Sequence, residues 1–331
     1  MKDLFLSPED RKDRPASPAG VLQRLQRLAD TANNLPPHLD RQAVARYGAC
    51  IGSVIDHYPV LPRAMDHARK EIAAAGASGR AFASGTVLLA ETLGESKGRF
   101  QRLWHAPSGG LWGCLVHANT LLPESRRFIP FAVGVACCEA VRLIGGQRAE
   151  LRWVNDLLWD GVKLAGFLVE GYTEPGHGEE FDLVGFGINV NNSRFPEELV
   201  GQATSLAEQF GRELPLGSFT EIFLAQLAWN FGILYHEEAR HLCGDGFSGA
   251  DGRHHLPDRW RSLSGSIGRR VVFGFDLFTA PQYRAEVLGL DEQGGLQLQL
   301  ADGSLKTEYS GEIRYLPEPG PSRCAASPAR K

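Results

Sequence analysis

Three segments of this 331-residue chain concentrate side chains that can hold and polarise an anion. The first is Gly94–Gly110, GESKGRFQRLWHAPSGG, which lies between the apolar runs Thr86–Ala90 and Leu111–Ala118. Its glycines, Gly98, Gly109 and Gly110 among them, and its small residues let backbone approach a ligand closely. Lys97, Arg99 and Arg102 put three cations within six positions. Such a loop can fold over a polyphosphate or an acyl-phosphate, presenting amides and guanidinium forks together. Trp104 offers an apolar wall or a stacking surface for a flat ligand. The same residues also suit a basic surface hairpin.

The second segment is Arg152–Gly166, RWVNDLLWDGVKLAG. Arg152 can pair with a carboxylate or phosphate oxygen. Asp156 can hold a divalent ion or a water, and Lys163 adds a second cation. Arg152 and Asn155 are three apart, on opposite faces of an ideal strand, so their convergence requires a bend near Val154. A surface salt-bridge cluster can show the same residues, but this one borders the apolar run LAGFLVEG and therefore a buried sheet. The third segment is Gly185–Asn192, GFGINVNN. Gly185 and Gly187 bracket Phe186, and Asn189, Asn191 and Asn192 end the strand. Their amides can read a purine edge or a ribose, although asparagine is also a common turn residue. The motif is not a dinucleotide fingerprint, because no helix follows it.

The elements that must position these groups follow from periodicity. Leu22, Leu25 and Leu28 predict a helix over 19–34, ended by Asn-Asn-Leu-Pro-Pro; further helices are expected at 41–57 and 64–75. A long helix from Phe128 to Ile144 closes at Gly145-Gly146. Glu150–Val154, Leu157–Trp159, Leu164–Glu170 and Asp182–Val190 read as adjacent antiparallel strands, with Asp160-Gly161 as a hairpin turn. Thr204–Phe210 and Phe219–Arg240 read as helices. The Gly-rich stretch Cys243–His255 reads as a loop or linker. Five short runs follow, Arg270–Phe275, Tyr283–Leu290, Leu296–Leu300, Lys306–Tyr309 and Glu312–Leu316, and suggest a small β-barrel. Residues 1–18 and the tail after Pro317 are expected to be loose.

A net charge of −4 with 22% charged residues gives no footprint for bulk nucleic-acid binding. The N-terminal region is too short for a winged helix-turn-helix and lacks a basic recognition helix, which argues against DNA as a partner. No apolar run is long enough to span a bilayer, and the charged start MKDLFLSPEDRKDRP has no signal-peptide core, so the expected compartment is the cytoplasm. The six cysteines form no C-x-x-C and read mostly as small core residues.

Together the three segments resemble the biotin–protein ligase catalytic domain. That family has a basic G-R-G-R-x-G-R-x-W loop, then K-W-P-N-D-L with K-L-A-G-I-L-V-E, then G-I-G-I-N-V-N; this chain reads SKGRFQRLW, RWVNDLLWDGVKLAGFLVEG and GFGINVNN. ATSLAEQFGREL and the stretch from DRWRSLSGSIGRRV to YSGEIRYL also resemble the family, the latter its SH3-like domain. The resemblance spans roughly residues 60–317. It implies an α+β fold: a central mixed or antiparallel sheet packed with helices, plus a small C-terminal SH3-like β-barrel. The implied organisation is an N-terminal helical extension (1–60), a ligase-like domain (61–242), a linker (243–257), the barrel (258–317) and a tail (318–331). The implied reaction joins biotin to ATP, with magnesium, as biotinyl-adenylate, then passes biotin to a lysine of a biotin carboxyl carrier-type protein. The resemblance also implies a homodimer through the central sheet.

Carried over position by position, Gly98, Arg99, Arg102, Trp104, Asn155, Asp156, Lys163, Gly166, Gly185, Gly187, Asn189 and Asn191 match the family pattern. Lys97 replaces an arginine, and Ser96 and Gln101 replace glycines. Arg152 stands where the family has the lysine that bridges biotin carboxyl and phosphate; the charge is kept and the geometry changed. The Ser-Thr-Asn that faces the ureido ring aligns with Arg63-Ala64-Met65, and a glutamine aligns with Leu93. These departures bear on the acid. They leave room for a ligase using another carboxylic acid, such as lipoate, or for a non-catalytic binding or regulatory homologue.

Overall fold

The computed structural model describes residues 14–32, 35–244, 254–277 and 279–317; the expectations for 1–13, most of the linker and the tail lie outside them. In chain order the first elements are helices α1 (Pro18–Thr31) and α2 (Arg41–Gly48), strand β1 (Val54–Leu61), α3 (Ala64–Ala77), β2 (Thr86–Leu93) and β3 (Leu111–Ala118). Then come α4 (Pro123–Arg126), α5 (Ile129–Leu143), β4 (Ala149–Arg152), β5 (Asp156–Trp159), β6 (Val162–Thr173) and β7 (Glu180–Ile188). Helices α6 (Leu206–Phe210) and α7 (Leu216–Leu242) complete the central domain.

Seven strands form one mixed sheet in the order β1-β2-β3-β7-β6-β5-β4. The expected run of antiparallel neighbours is β4 to β7. Each connection is short, and the β5–β6 turn takes positive φ at Asp160 and Gly161, as a tight hairpin requires. One face of the sheet is covered by α5 and α7 through Leu115, Val184, Phe186 and Ile188. On the other face α3 covers Cys114, Val116, Phe181 and Leu183, and the remainder of that face carries the site. Cys114, Cys137 and Cys138 are core residues as expected, whereas Cys50 and Cys243 are exposed.

The expected helix over 41–57 stops at Gly48, and 54–61 is strand β1 instead, parallel to β2. Gly52 takes a φ of +74°. Beyond it Val54, Ile55, Tyr58 and Val60 favour extended backbone, and Pro59 is tolerated because β1 is an edge. The second departure is α8 (His255–Leu263), which runs across the expected linker end and barrel start. Its Trp260 is 1% exposed and packs edge-on against Phe131 of α5 at 5.8 Å. Strands β8 (Arg270–Asp276), β9 (Ala280–Leu290), β10 (Leu296–Leu300), β11 (Leu305–Glu308) and β12 (Glu312–Tyr315) follow, antiparallel in the order β11-β10-β9-β8-β12. This is consistent with the SH3-like expectation.

The N-terminal helices belong to the central domain's packing. Ser17 caps α1 by accepting from Gly20 N, and Asp40 caps α2 by accepting from Ala43 N. Both helices lie on α7. Glu221 of α7, fully buried, accepts from Arg14, Ser17 and Arg24. Helices α2 and α7 approach so closely that a Cβ at Gly48 would stand 1.9 Å from the Ala228 carbonyl oxygen. Gly48→Ala is therefore expected to cost about 1–3 kcal/mol, read as a lower urea midpoint with an unchanged slope.

Candidate active site

Strand register alone builds the floor of the site. Arg152 of β4 pairs with Asp156 of β5, Asp156 with Gly166 of β6, Gly166 with Gly187 of β7, and Gly187 with Trp112 of β3. Directly paired residues point to the same face, so these five form one row across five strands. Lys163 joins that face through a bulge: Leu157 pairs with Ala165 but Leu158 with Lys163, leaving Leu164 unpaired. Without the extra residue, positions 163 and 166 would face opposite ways.

Asp156 is the charged centre of the row. Its Oδ1 is 2.7 Å from Lys163 Nζ, and its Oδ2 accepts from Arg152 at 2.5 and 3.2 Å. Burial by itself would raise this carboxyl, but Lys163 and then Arg152 outweigh it and hold the pKa down to about 2. With both oxygens engaged by cations, Asp156 does not fit a magnesium ligand, and the described residues contain no group of three His, Cys, Asp or Glu able to hold a metal.

Glycines lower the floor. A Cβ at Gly187 would stand 2.7 Å from Trp104 Nε1, and one at Gly166 would meet Trp104 and Lys163 at 3.2–3.4 Å. Trp104 therefore lies flat on the sheet, edge-on to Trp112 and 5.2 Å from Lys163 Nζ. Its basic loop folds over the row. Phe100 takes a φ of +56° and places its ring 5.1 and 5.3 Å from the Arg99 and Arg102 guanidinium carbons. A bulky residue in the left-handed region costs on the order of 1–2 kcal/mol, which these two cation–π contacts offset in part.

The C-terminal domain holds this loop down. Arg102 donates to both Glu312 oxygens at 2.9 Å and to Asp276 at 2.6 Å, and Arg99 donates to the Gly311 carbonyl at 2.6 Å. Burial pulls the Arg99 pKa below its ordinary value.

The cavity is about 490 Å³. Of the residues named from sequence, Arg63, Ala64, Met65, Leu93, Lys97, Gly98, Arg99, Arg102, Trp104, Arg152, Asn155, Asp156, Lys163, Gly166, Gly187 and Asn189 line it. Gly109, Gly110 and Asn191 do not. Asn191 uses its amide to clamp Leu214 through Nδ2 to O and Oδ1 to N. Gly109 accepts from Asn191 N, and Gly110 makes room for the Trp112 ring. Asn155 lines the cavity but spends one N–H on the Phe167 carbonyl, tying the β4–β5 turn to β6. The sequence reading missed Phe195, Gln202, Leu277, Glu312, Ile313 and Arg314 in the wall. Nothing in their local sequence marks them, because they arrive through long-range packing. Seven Lys or Arg side chains line the cavity against two carboxylates, Asp156 and Glu312, so it attracts anions.

Two outcomes follow. A carboxyl more acidic in the folded than in the unfolded chain adds stability that is full above about pH 4 and lost as pH falls through about 2. Across that acid window the stability advantage over Asp156→Asn is expected to shrink by about 2 kcal/mol, measured by urea unfolding at each pH. Glu312→Gln is expected to speed tryptic cleavage at Lys97 and Arg99 several-fold by loosening the loop.

The sequence model of the Biotin/lipoate A/B protein ligase family matches residues 83–191, and that of the Biotin protein ligase C terminal domain matches 266–314. The bifunctional ligase/repressor BirA of Bacillus subtilis is 26% identical over 236 residues, 69% of this chain and 66% of that protein, just under two thirds of the relative's length. The biotin--[acetyl-CoA-carboxylase] ligase of Mycobacterium tuberculosis is 34% identical over 143 residues, 42% of this chain and 50% of that protein. Among solved structures, the biotin protein ligase from Aquifex aeolicus in complex with biotin and ATP superposes with a TM-score of 0.62 at 21% identity, covering 80% of this chain and 99% of that one. The row across the sheet and the basic loop above it thus lie in the segment that resembles the Biotin/lipoate A/B protein ligase family, and the smaller antiparallel sheet lies in the segment that resembles the Biotin protein ligase C terminal domain.

Proposed function

We propose that the protein is an ATP-dependent biotin–protein ligase, acting through a biotinyl-adenylate. The observation that carries this reading is the Arg152–Asp156–Lys163 row under a closed basic loop, in the fold shared with a ligase solved with biotin and ATP. In the first step the biotin carboxylate attacks the α-phosphorus of ATP and pyrophosphate leaves. Two anions must meet, and fixed cations make that approach favourable. Arg152 and Lys163 are held by Asp156 at set positions, so little reorganisation is needed as charge builds. Lys97 lines the cavity with no ion-pair partner among the described residues and serves as the adaptable third cation. Trp104 and Asn189 form the nucleotide side.

In the second step a carrier lysine amine attacks the acyl carbon and AMP leaves. The loop latched by Glu312 and Asp276 shields the mixed anhydride from water until then. The carrier in this reading is a biotin carboxyl carrier-type protein, and the relative from Mycobacterium tuberculosis is named a biotin--[acetyl-CoA-carboxylase] ligase. DNA is no part of this reading, because α1 and α2 are packed on α7. Among the described residues no helix is long and apolar enough to cross a membrane. The reading places the protein in the cytoplasm, and β1 leaves a free sheet edge for a homodimer.

The test is pyrophosphate release from ATP and magnesium with biotin, lipoate or octanoate. Release with biotin is expected; release only with another acid, or none, overturns the reading. Arg152→Lys is expected to lower biotin turnover about tenfold or more, because a single ammonium replaces two N–H groups on Asp156. A rise would mean that arginine is a defect here.

A further inference from the structure

Strand β12 brings one more side chain to the site without lining the cavity. Glu312, Ile313 and Arg314 belong to the wall, but Tyr315, the next residue, does not. The Tyr315 ring faces two cations: its centroid is 6.0 Å from the guanidinium carbon of Arg152 and 4.7 Å from that of Arg269. Its hydroxyl is 2.9 Å from Ser266 Oγ, and Ser266 is fully buried. The turn that carries Ser266 is itself fixed to β4. Gly265 N donates to the Leu151 carbonyl at 3.1 Å, and Ser264 forms a parallel β-bridge with Leu151. Leu151 is the residue before Arg152. The ring is thus tied, in two short steps, to the strand whose cation it faces.

Arg152 needs a second fixed contact. Its two hydrogen bonds to Asp156 both end on Oδ2, from Nε at 3.2 Å and from Nη2 at 2.5 Å, while Oδ1 is taken by Lys163. A guanidinium held fork to fork by two carboxylate oxygens is fixed in its plane. One held on a single oxygen can swing about it, and the long arginine stem permits that swing. Nη1 is not engaged by Asp156. Where its N–H groups point therefore depends on the angle of the guanidinium. An aromatic face attracts a guanidinium at about this distance, and the ring also blocks any swing into its own volume.

We infer that Tyr315 is a positioning residue for Arg152: the C-terminal domain supplies the ring that sets the angle of a cation on the larger domain's sheet. Tyr315 acts only through Arg152. One strand therefore grips the basic loop through Glu312 and aims the cation beneath it through Tyr315. The inference rests on the acyl-adenylate reading only for its effect on turnover; the placement of Arg152 does not depend on it.

The test compares Tyr315→Leu, Tyr315→Met and Tyr315→Phe in the full chain, each alone and in the Arg152→Lys background. Pyrophosphate release gives kcat and the KM values for biotin and ATP. The Nε–Hε magnetic resonance signal of Arg152, in protein with isotope-labelled arginine and assigned by its loss in Arg152→Lys, reports the guanidinium without any ligand. Tyr315→Leu is expected to lower kcat about three- to tenfold with both KM values within about twofold of wild type. It should also shift the Arg152 signal and speed its exchange with water. Tyr315→Met keeps the bulk without a ring; it should do the same, and it carries the test if the leucine variant does not fold. Tyr315→Phe should recover most of the turnover and the wild-type signal. In the Arg152→Lys background the loss should shrink to within about twofold, because a compact ammonium presents no plane to align. The inference is overturned by equal losses in the two backgrounds, which would mark a structural role alone. It is also overturned by turnover unchanged without the ring in an active wild type, by an Arg152 signal unmoved in both ring-less variants, or by a phenylalanine variant as impaired as the leucine one. No pyrophosphate release with any acid, beside an Arg152 signal that moves only when the ring is lost, would remove the ligase reading and sustain the inference.

Discussion

One carboxylate organises this site. Asp156 is largely withdrawn from solvent, its side chain 13% exposed, and a charge so placed is tolerated only when it is paired. Two cations meet it, one from the preceding strand and one from the following strand, so β4, β5 and β6 are tied together at the point where substrate anions must bind. The β6 bulge, the turn after Arg152 and the run of glycines across β6 and β7 all serve this geometry. Remove the carboxylate and two cations would face each other under a basic loop. Keep it, and the excess positive charge is fixed in place before any ligand arrives.

Much of the fold was legible because the central strands are short, adjacent and joined by tight turns. Their alternation and the Asp160-Gly161 turn carry the pairing from β4 to β7. The long helix α7 was equally plain from its apolar spacing, although α1, α2 and α5 pack on it and bury it on nearly every side. Two elements were not. Strand β1 was hidden because its side chains are largely exposed on an edge, so no buried periodicity separates it from α2. Helix α8 was hidden because a Gly-rich stretch just before it reads as a linker, while its fixed point, Trp260, packs against a distant helix.

The site was legible where residue type and chemistry coincide. Lys97, Arg99, Arg152, Asp156 and Lys163 are charged residues close to apolar strands, and they converge. The amides were harder, because asparagine serves ligands and backbone equally well: Asn189 lines the cavity, while Asn191 clamps Leu214. Arg63 shows the opposite limit. From sequence it is a departure from the family pattern that bears on the acid, and in space it brings a guanidinium to the cavity wall. Its surroundings, Glu170 and Asp66, come from a strand more than a hundred residues away and from its own helix, and only the former needed a structure to be seen.

The wall contributed by β12 has an evolutionary meaning. Glu312, Ile313 and Arg314 line the same cavity as the sheet of the larger domain, and Glu312 grips its loop. A small barrel appended merely for solubility or reach could be exchanged for another module. This one completes an interior surface of its neighbour. The two domains therefore cannot be shuffled independently: recombination between them would have to preserve matched partners on both sides of the seam, and substitutions at Arg102 and Glu312 would be expected to travel together.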